Sequence, residues 1–246
     1  FFNHYKNSKK QESFNLYKIL SKELEKVHTL VPELPFSNVW IAQHTAHLIP
    51  QGSSVHFGIL NSLRAWNFFD LPKGVTSFCN VGGFGIDGCL SSLIGASLLD
   101  FSKLFFGVLG DLSFFYDMNV LRNEGIGNNV RILIVNNGRG TEFRNYSHSA
   151  AIMGKAVDPY VAAAGHFGYQ SDTTIQRYVI SCGFEYMSAY NKSEYLTKVK
   201  YFTTAAHLDK SMVLEVFTDP DCESEALKTI SSILKGGKRN YLNKVK

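Results

Sequence analysis

The pattern of hydrophobic positions changes near residue 50. Before that point, apolar residues within 12–29 recur at helical spacing, and Ser37 can cap a second helix that ends near Pro50. After that point, short apolar runs alternate with helical stretches, and each run is followed by a glycine or a polar turn. This alternation predicts an α/β fold in which helices connect parallel strands.

The apolar runs predict strands, and the stretches between them predict helices. Because the runs are apolar throughout, we expect strands that are buried on both faces of a sheet. The predicted strands are 55–57, 77–79, 104–109, 130–135 and 212–217, with 184–188 as a further short one. The predicted helices are 61–69, 88–99, 113–124, 157–165, 172–181, 192–206 and 222–234. We therefore predict a three-layer α/β/α domain with a mainly parallel sheet.

Composition excludes several classes of protein. Hydrophobic residues make up 45% of the 246 positions, which is enough for a core and excludes a disordered chain. No apolar stretch reaches the roughly 18 residues that span a bilayer, so we expect no membrane span. A net charge of +4 is too small to indicate nucleic-acid binding. The four cysteines form no CxxC pair, which indicates reduced core residues of a cytoplasmic protein.

Two neighbouring predicted strands end in side chains that bind hard cations. Gly110 and Asp111 follow the run 104–109, and Asn137 comes directly after the strand 130–135 and one further asparagine. Because adjacent parallel strands end at the same edge of a sheet, the oxygens of Asp111 and Asn137 can converge on one Mg²⁺. Each half alone is an ordinary turn, but the pair is separated by one helix plus one strand, as adjacent strands require. Since Mg²⁺ usually bridges to a ligand phosphate, the pair predicts a diphosphate cofactor.

The residues around this pair resemble a known cofactor motif. Gly-Asp at 110–111 and Asn-Asn at 136–137 resemble the GDG…NN motif of thiamine diphosphate (ThDP)-dependent enzymes. Leu112 stands where that motif has its second glycine. With this change, GDLSFFYDMN at 110–119 is similar to the GDLSxxxDxN variant of the SEPHCHC synthases, a branch of the family that acts in menaquinone biosynthesis. NVGGFGIDG at 80–88 resembles the NRGxSGIDG segment of the same branch.

The resemblance implies a pyrophosphate-binding domain that holds ThDP and Mg²⁺. Asp111, Asn137 and the backbone carbonyl of Arg139 would be the metal ligands. Ile86 would support the cofactor in its bent form, and the Gly85 carbonyl would accept a hydrogen bond from the 4′-amino group of ThDP. The implied cofactor-binding residues are Gly85, Ile86, Asp87, Gly110, Asp111, Leu112, Ser113, Asn137, Arg139 and Gly140.

The resemblance also implies a longer protein. In the family, the glutamate that activates the cofactor lies in a separate pyrimidine-binding domain, which is normally N-terminal and contributed by a partner subunit. No segment of this chain resembles that domain, so we expect no catalytic residue here and a chain that is inactive by itself. We further expect Phe1 to mark a boundary within a longer chain, and a homodimer or tetramer. The expected parts are connector helices at 1–50, the ThDP domain at 51–236 and a basic tail at 237–246.

One substrate-binding segment can be aligned in two ways. The family's GNSxxxR segment supplies a serine and an arginine to the distal carboxylate of a donor such as 2-oxoglutarate. Without a gap, Arg64 takes the arginine position; with a shift, Asn61 and Ser62 are kept and Trp66 takes that position. We prefer the ungapped register because the turn at 69–72 then needs no shift. An exposed helical arginine with no ligand remains an alternative.

Other substrate-facing positions depart from the family pattern. Val81 replaces the arginine of NRGxSGIDG and Phe84 its serine, so that wall becomes apolar. After Asn137, Phe143 is retained as an apolar pocket residue, but Glu142 stands where the family usually has isoleucine. The 2-oxoacid donor and the isochorismate-like acceptor of the branch are therefore both open to change.

Four other interpretations remain to be weighed. The altered pocket fits a non-catalytic scaffold that keeps the ThDP fold, or a ThDP carboligase of another pathway. A Rossmann-type dehydrogenase is disfavoured because GxGxxG is absent. His44 and His47 could clip a metal from one helix face, but no third ligand is evident, so we expect satisfied or exposed histidines.

Overall fold

The computed structural model describes Lys18, Ile19, Ser21, Lys22, Glu25, residues 29–160 and residues 170–242. The chain divides into two compact units, Pro35–Leu227 on the one hand and Phe1–Leu34 with Lys228–Lys246 on the other. Most of the predicted helix at 12–29, and the part of the predicted helix 157–165 beyond residue 160, lie outside the described residues. The domain boundaries expected from the sequence stay predictions.

The unit Pro35–Leu227 contains a six-stranded sheet. Its strands are β1 (Ser54–Phe57), β2 (Thr76–Cys79), β3 (Phe105–Gly110), β4 (Val130–Asn136), β5 (Glu185–Ala189) and β6 (Met212–Phe217). The strand order is β2-β1-β3-β4-β6-β5, and every neighbouring pair is parallel. The predicted α/β class and all six predicted strands are thereby confirmed. The central strands β3, β4 and β6 are buried almost throughout, as apolar runs of this kind predict.

The helices follow the predicted order, with several changed boundaries. From residue 31 onwards, the α-helices of the described residues are α1 (Asn38–Thr45), α2 (Asn61–Trp66), α3 (Cys89–Ser97), α4 (Asp111–Asp117), α5 (Thr174–Ser181), α6 (Lys192–Phe202) and α7 (Pro220–Leu242). Short 3₁₀ segments span Ala46–Leu48, Met118–Arg122, Thr141–Arg144 and Ser149–Tyr160. The predicted helix 113–124 is thus α-helical only to Asp117, and α7 continues beyond the predicted end at 234.

Local signals explain where α1 begins, and burial explains how the layers pack. The Ser37 hydroxyl accepts a hydrogen bond from the Trp40 N–H at 3.3 Å, which is the predicted N-cap. One face of the sheet is covered by apolar side chains of α3, α4 and α5. Leu93, Phe114 and Val179 belong to the same buried cluster as Ile132 of β4.

Two expectations about burial are wrong. β2 lies at the edge of the sheet with Thr76, Ser77 and Phe78 exposed, because a short apolar run does not reveal whether helices will cover both its faces. All four cysteines are free, but only Cys89 is buried, and the other three are half-buried rather than core residues. Within the described residues, no helix has the length and apolar character needed to cross a membrane.

Candidate functional site

The structure places Asp111 and Asn137 side by side at the carboxyl edge of the sheet. β3 and β4 are adjacent and parallel, with Gly110 opposite Val135, so both residues leave the sheet at the same edge. Asp111 is 3% exposed and Asn137 is 9% exposed. The backbone N–H of Asn137 also stabilises the ionised Asp111 carboxyl, which places the two residues in direct contact. This is the juxtaposition that the sequence predicted.

Asp111 is a buried carboxyl group in an unfavourable environment for its charge. Burial raises its pKa to about 7, and nearby Glu215 adds to the rise, while backbone N–H groups of Leu112, Asp111 and Asn137 oppose it. None of the ion pairs found among the described side chains involves Asp111. A bound cation would offset the desolvation of this carboxylate. The oxygen donors present therefore fit Mg²⁺, which prefers carboxylate, amide and carbonyl oxygens.

A buried network holds the turn that follows β4. The Asn136 amide donates to Glu215 Oε1 at 2.6 Å, and the Tyr186 hydroxyl donates to Glu215 Oε2 at 2.7 Å. Asn136 Oδ1 accepts a hydrogen bond from the Gly138 N–H at 3.2 Å. Gly138 has a φ of +75°, a left-handed backbone conformation that favours glycine at this position. Glu215 was not predicted from the sequence, although a single acid inside the apolar run of β6 is a visible signal.

The segment around Ile86 is tied to the start of α4. The Ser113 hydroxyl donates to the Ile86 carbonyl at 2.6 Å. Asp117, which is part of the GDLSxxxDxN pattern, accepts from the Ser91 N–H at 2.6 Å and so joins α4 to the first turn of α3. A Cβ at Gly85 would lie 2.0 Å from the Asp87 carboxylate, so this turn is closely packed. These contacts hold the two predicted cofactor segments together.

A small cavity of about 80 Å³ opens between these segments. The predicted cofactor residues that line it are Ile86, Gly110, Asp111, Leu112, Ser113, Asn137, Arg139 and Gly140. Gly85 and Asp87 instead line a separate open cavity of about 500 Å³, together with Asn80 and Ser91. The structure thus gathers most of the predicted set around one cavity and sets Gly85 and Asp87 at another.

The three predicted substrate residues, Arg64, Val81 and Phe143, lie in different surroundings. None of them is among the described residues that line the small cavity. Arg64 forms an ion pair with Glu142 at 2.6 Å. Val81 is about half exposed, and the Phe143 ring packs edge-on against His148 with centroids 5.3 Å apart. Trp66, the alternative to Arg64 in the shifted register, is buried; its indole N–H donates to Asn38 of α1 at 3.1 Å.

Of the two histidines considered from the sequence, His44 packs against Trp40 of its own helix. The His44 ring stacks on Trp40 with centroids 3.9 Å apart, and its Nδ1 lies 2.9 Å from the Trp40 carbonyl oxygen. Across the part of the chain that the structure describes, no group of three or more His, Cys, Asp or Glu side chains could hold a metal ion. The expected Mg²⁺ site differs from such clusters because an amide and a backbone carbonyl would complete its ligands.

The parallel sheet with this strand-tip site has the fold of the thiamine diphosphate-dependent enzymes. The structure matches that of the Rhodococcus jostii thiamine diphosphate-dependent 4-hydroxybenzoylformate decarboxylase with a TM-score of 0.59, over 76% of this chain and 33% of that chain. The two sequences are 19% identical, so this likeness shows the fold alone. The chain matches no protein-family model.

Sequence comparison indicates the particular branch. The chain is 32% identical over 197 residues to the 2-succinyl-5-enolpyruvyl-6-hydroxy-3-cyclohexene-1-carboxylate (SEPHCHC) synthase of Bacteroides fragilis, and 33% identical over 199 residues to that of Phocaeicola vulgatus. Each match covers 80% of this chain but 34% of the relative, so the chain spans about a third of the length of these relatives. The resemblance predicted from the sequence is confirmed: this chain is a relative of the SEPHCHC synthases.

Proposed function

We propose that this chain is the ThDP- and Mg²⁺-binding domain of a carboligase that decarboxylates a 2-oxoacid. The observation that supports the proposal best is the buried Asp111 carboxyl beside Asn137, at the carboxyl edge of a sheet with the ThDP-enzyme fold. A carboxylate at this depth is costly unless a cation binds it. The function therefore explains a feature that would otherwise only destabilise the protein.

Each part of the proposed site has a role that the contacts support. The Asp111 and Asn137 side chains and the Arg139 carbonyl would hold Mg²⁺ on the cofactor diphosphate. The hydrogen bond from Ser113 to the Ile86 carbonyl would keep Ile86 beside the same cavity. Bound ThDP would supply the chemistry, namely decarboxylation of a 2-oxoacid and transfer of the remaining fragment to an acceptor.

The proposal for the whole protein follows the relatives. The whole protein would be a cytoplasmic homodimer or tetramer, and a pyrimidine-binding domain outside this chain would complete the cofactor site. The donor would be a 2-oxoacid and the acceptor would resemble isochorismate, with changes where this chain differs from the pattern of the branch. Val81 and Phe143 would contribute apolar surface to the substrate pocket.

Calorimetric titration of the full-length protein with ThDP tests the proposal. We expect binding with Mg²⁺ present, none after the metal is chelated, and loss of binding in an Asp111→Ala variant. Asp70→Ala is a matched control because Asp70 is exposed in a loop and should leave binding unchanged. Failure of the folded wild-type protein to bind ThDP with Mg²⁺ would contradict the proposal and favour the scaffold interpretation.

A further inference from the structure

A hydrogen-bonded network forms one wall of the cavity that holds Asp111. Asn61, Thr141 and Glu142 are lining residues. Arg64 and Asn145 are not among the described lining residues, but both hydrogen bond to Asn61 and Glu142. Arg64 Nη1 donates to Glu142 Oε2 at 2.6 Å and Nη2 to Glu142 Oε1 at 3.2 Å. Both terminal nitrogens of the guanidinium therefore donate to the Glu142 carboxylate.

The rest of the network fixes this ion pair in place. Asn61 and Arg64 are three residues apart on α2, so their side chains lie on the same side of the helix, and Arg64 Nη1 donates to Asn61 Oδ1 at 2.8 Å. The Asn145 amide donates to Asn61 Oδ1 at 3.0 Å and to Glu142 Oε2 at 3.3 Å. The Asn61 amide donates to the Thr141 hydroxyl at 2.7 Å. The wall is thus satisfied internally.

We propose that Glu142 sets the charge of the substrate at this wall: by occupying Arg64, it excludes a second carboxylate and selects 2-oxoacids whose distal end is uncharged. The inference rests on the proposed function and adds a substrate class to it. Its basis is the bidentate ion pair beside the cavity, which leaves asparagine, threonine and glutamate groups facing a ligand there.

The physical reason is the cost of exchanging partners. Glu142 accepts from both terminal nitrogens of Arg64, so a ligand carboxylate could form the same two-point pair with the guanidinium only by displacing Glu142. The Glu142 side chain is 21% exposed, so displacement would leave a largely buried carboxylate without its cation. The other ionisable lining residues are Arg139 and Asp111, both close to the proposed metal position. An uncharged distal group avoids this exchange.

The test compares two 2-oxoacids in the full-length protein loaded with ThDP and Mg²⁺. Calorimetry gives the affinities for 2-oxoglutarate and for 2-oxobutyrate, and CO₂ release gives kcat/KM for each. Glu142→Gln should free Arg64 and shift the ratio of affinities at least about 10-fold towards 2-oxoglutarate. Glu225→Gln is the matched control, since Glu225 is exposed on α7. Urea unfolding and ThDP affinity are measured for every variant.

A double variant, Glu142→Gln with Arg64→Gln, separates the charge effect from a change of shape. The inference is supported if wild type prefers 2-oxobutyrate, if Glu142→Gln reverses that preference, and if the double variant loses the gain. The inference is overturned if Glu142→Gln leaves the ratio of the two affinities unchanged, or if the gain in 2-oxoglutarate affinity persists in the double variant. In either case, ThDP binding by the same protein would still support the proposed function. Absence of ThDP binding by the folded wild-type protein would instead refute the proposed function itself.

Discussion

Replacing Asp111 by asparagine is expected to stabilise the ligand-free protein, and the gain should grow with pH. Asparagine has nearly the same size and keeps an oxygen for the backbone N–H groups, but it removes the buried charge. Because burial raises the Asp111 pKa from 3.8 to about 7, the folded protein holds this proton more tightly than the unfolded chain does. The wild-type protein therefore loses stability as the pH rises from about 4 to about 7, and the variant does not.

The size of the effect follows from the two pKa values. One pKa unit corresponds to about 1.4 kcal/mol, so the charge of Asp111 lowers the free energy of unfolding by about 2 kcal/mol at pH 5 and about 4 kcal/mol at pH 8. The gain from Asp111→Asn should rise by about 2–3 kcal/mol between these two pH values. Glu223, whose pKa burial also raises to about 7, is present in both proteins, so its contribution cancels in the difference.

Urea unfolding at pH 5, 6, 7 and 8 measures this difference, with a chelator present to remove divalent cations. Asp70→Asn makes the same chemical change at an exposed position and should give no pH-dependent gain. A difference between Asp111→Asn and wild type that stays constant from pH 5 to pH 8 would refute the reasoning. Addition of Mg²⁺ and ThDP should then stabilise wild type but not the variant, because only the carboxylate binds the metal strongly.

Two further predictions concern the turn after β4. Gly138→Ala should lower the free energy of unfolding by about 2 kcal/mol, because it places a Cβ at a positive φ and 2.7 Å from the side chain of Gln170. Gly52→Ala is the control: Gly52 also has a positive φ but open space around it, so this change should cost about 1 kcal/mol in the same urea assay. Tyr186→Phe should cost about 1–3 kcal/mol because it removes a donor to the buried Glu215, and the cost should be larger at pH 8 than at pH 5, since that donor favours the ionised carboxyl. Tyr201→Phe removes an exposed hydrogen bond to a carboxylate and is the control, which should leave the free energy of unfolding nearly unchanged at either pH.

The fold and the centre of the site were predictable because their signals are local. An apolar run marks a strand wherever it lies, and all six runs became strands. Asp111 and Asn137 could be paired because they follow consecutive strands of a predicted parallel sheet, and a right-handed crossover commonly makes such strands neighbours. Glu215 could not be assigned in this way, since its contact with Asn136 depends on β6 lying beside β4, with β5 outside it.

The ion pair between Arg64 and Glu142 shows the same limit at the substrate wall. The sequence marks each residue separately: Arg64 aligns with the arginine of the family segment, and Glu142 stands where the family usually has isoleucine. The two are 78 positions apart, and no periodicity relates α2 to the 3₁₀ segment after β4. The ion pair explains why a polar glutamate is accommodated at position 142: it is the partner of Arg64.

By itself, the sequence determined the α/β class, the strands, the cap of α1 and the strand-tip pair Asp111 and Asn137, because these depend on residue spacing along the chain. Only the tertiary structure decided that β2 is exposed, that Glu215 supports the turn after β4 and that Glu142 pairs with Arg64. These features depend on sheet order and on side chains that meet from distant segments. Burial and charge pairing are properties of the assembled layers, so they become visible only when those layers are packed.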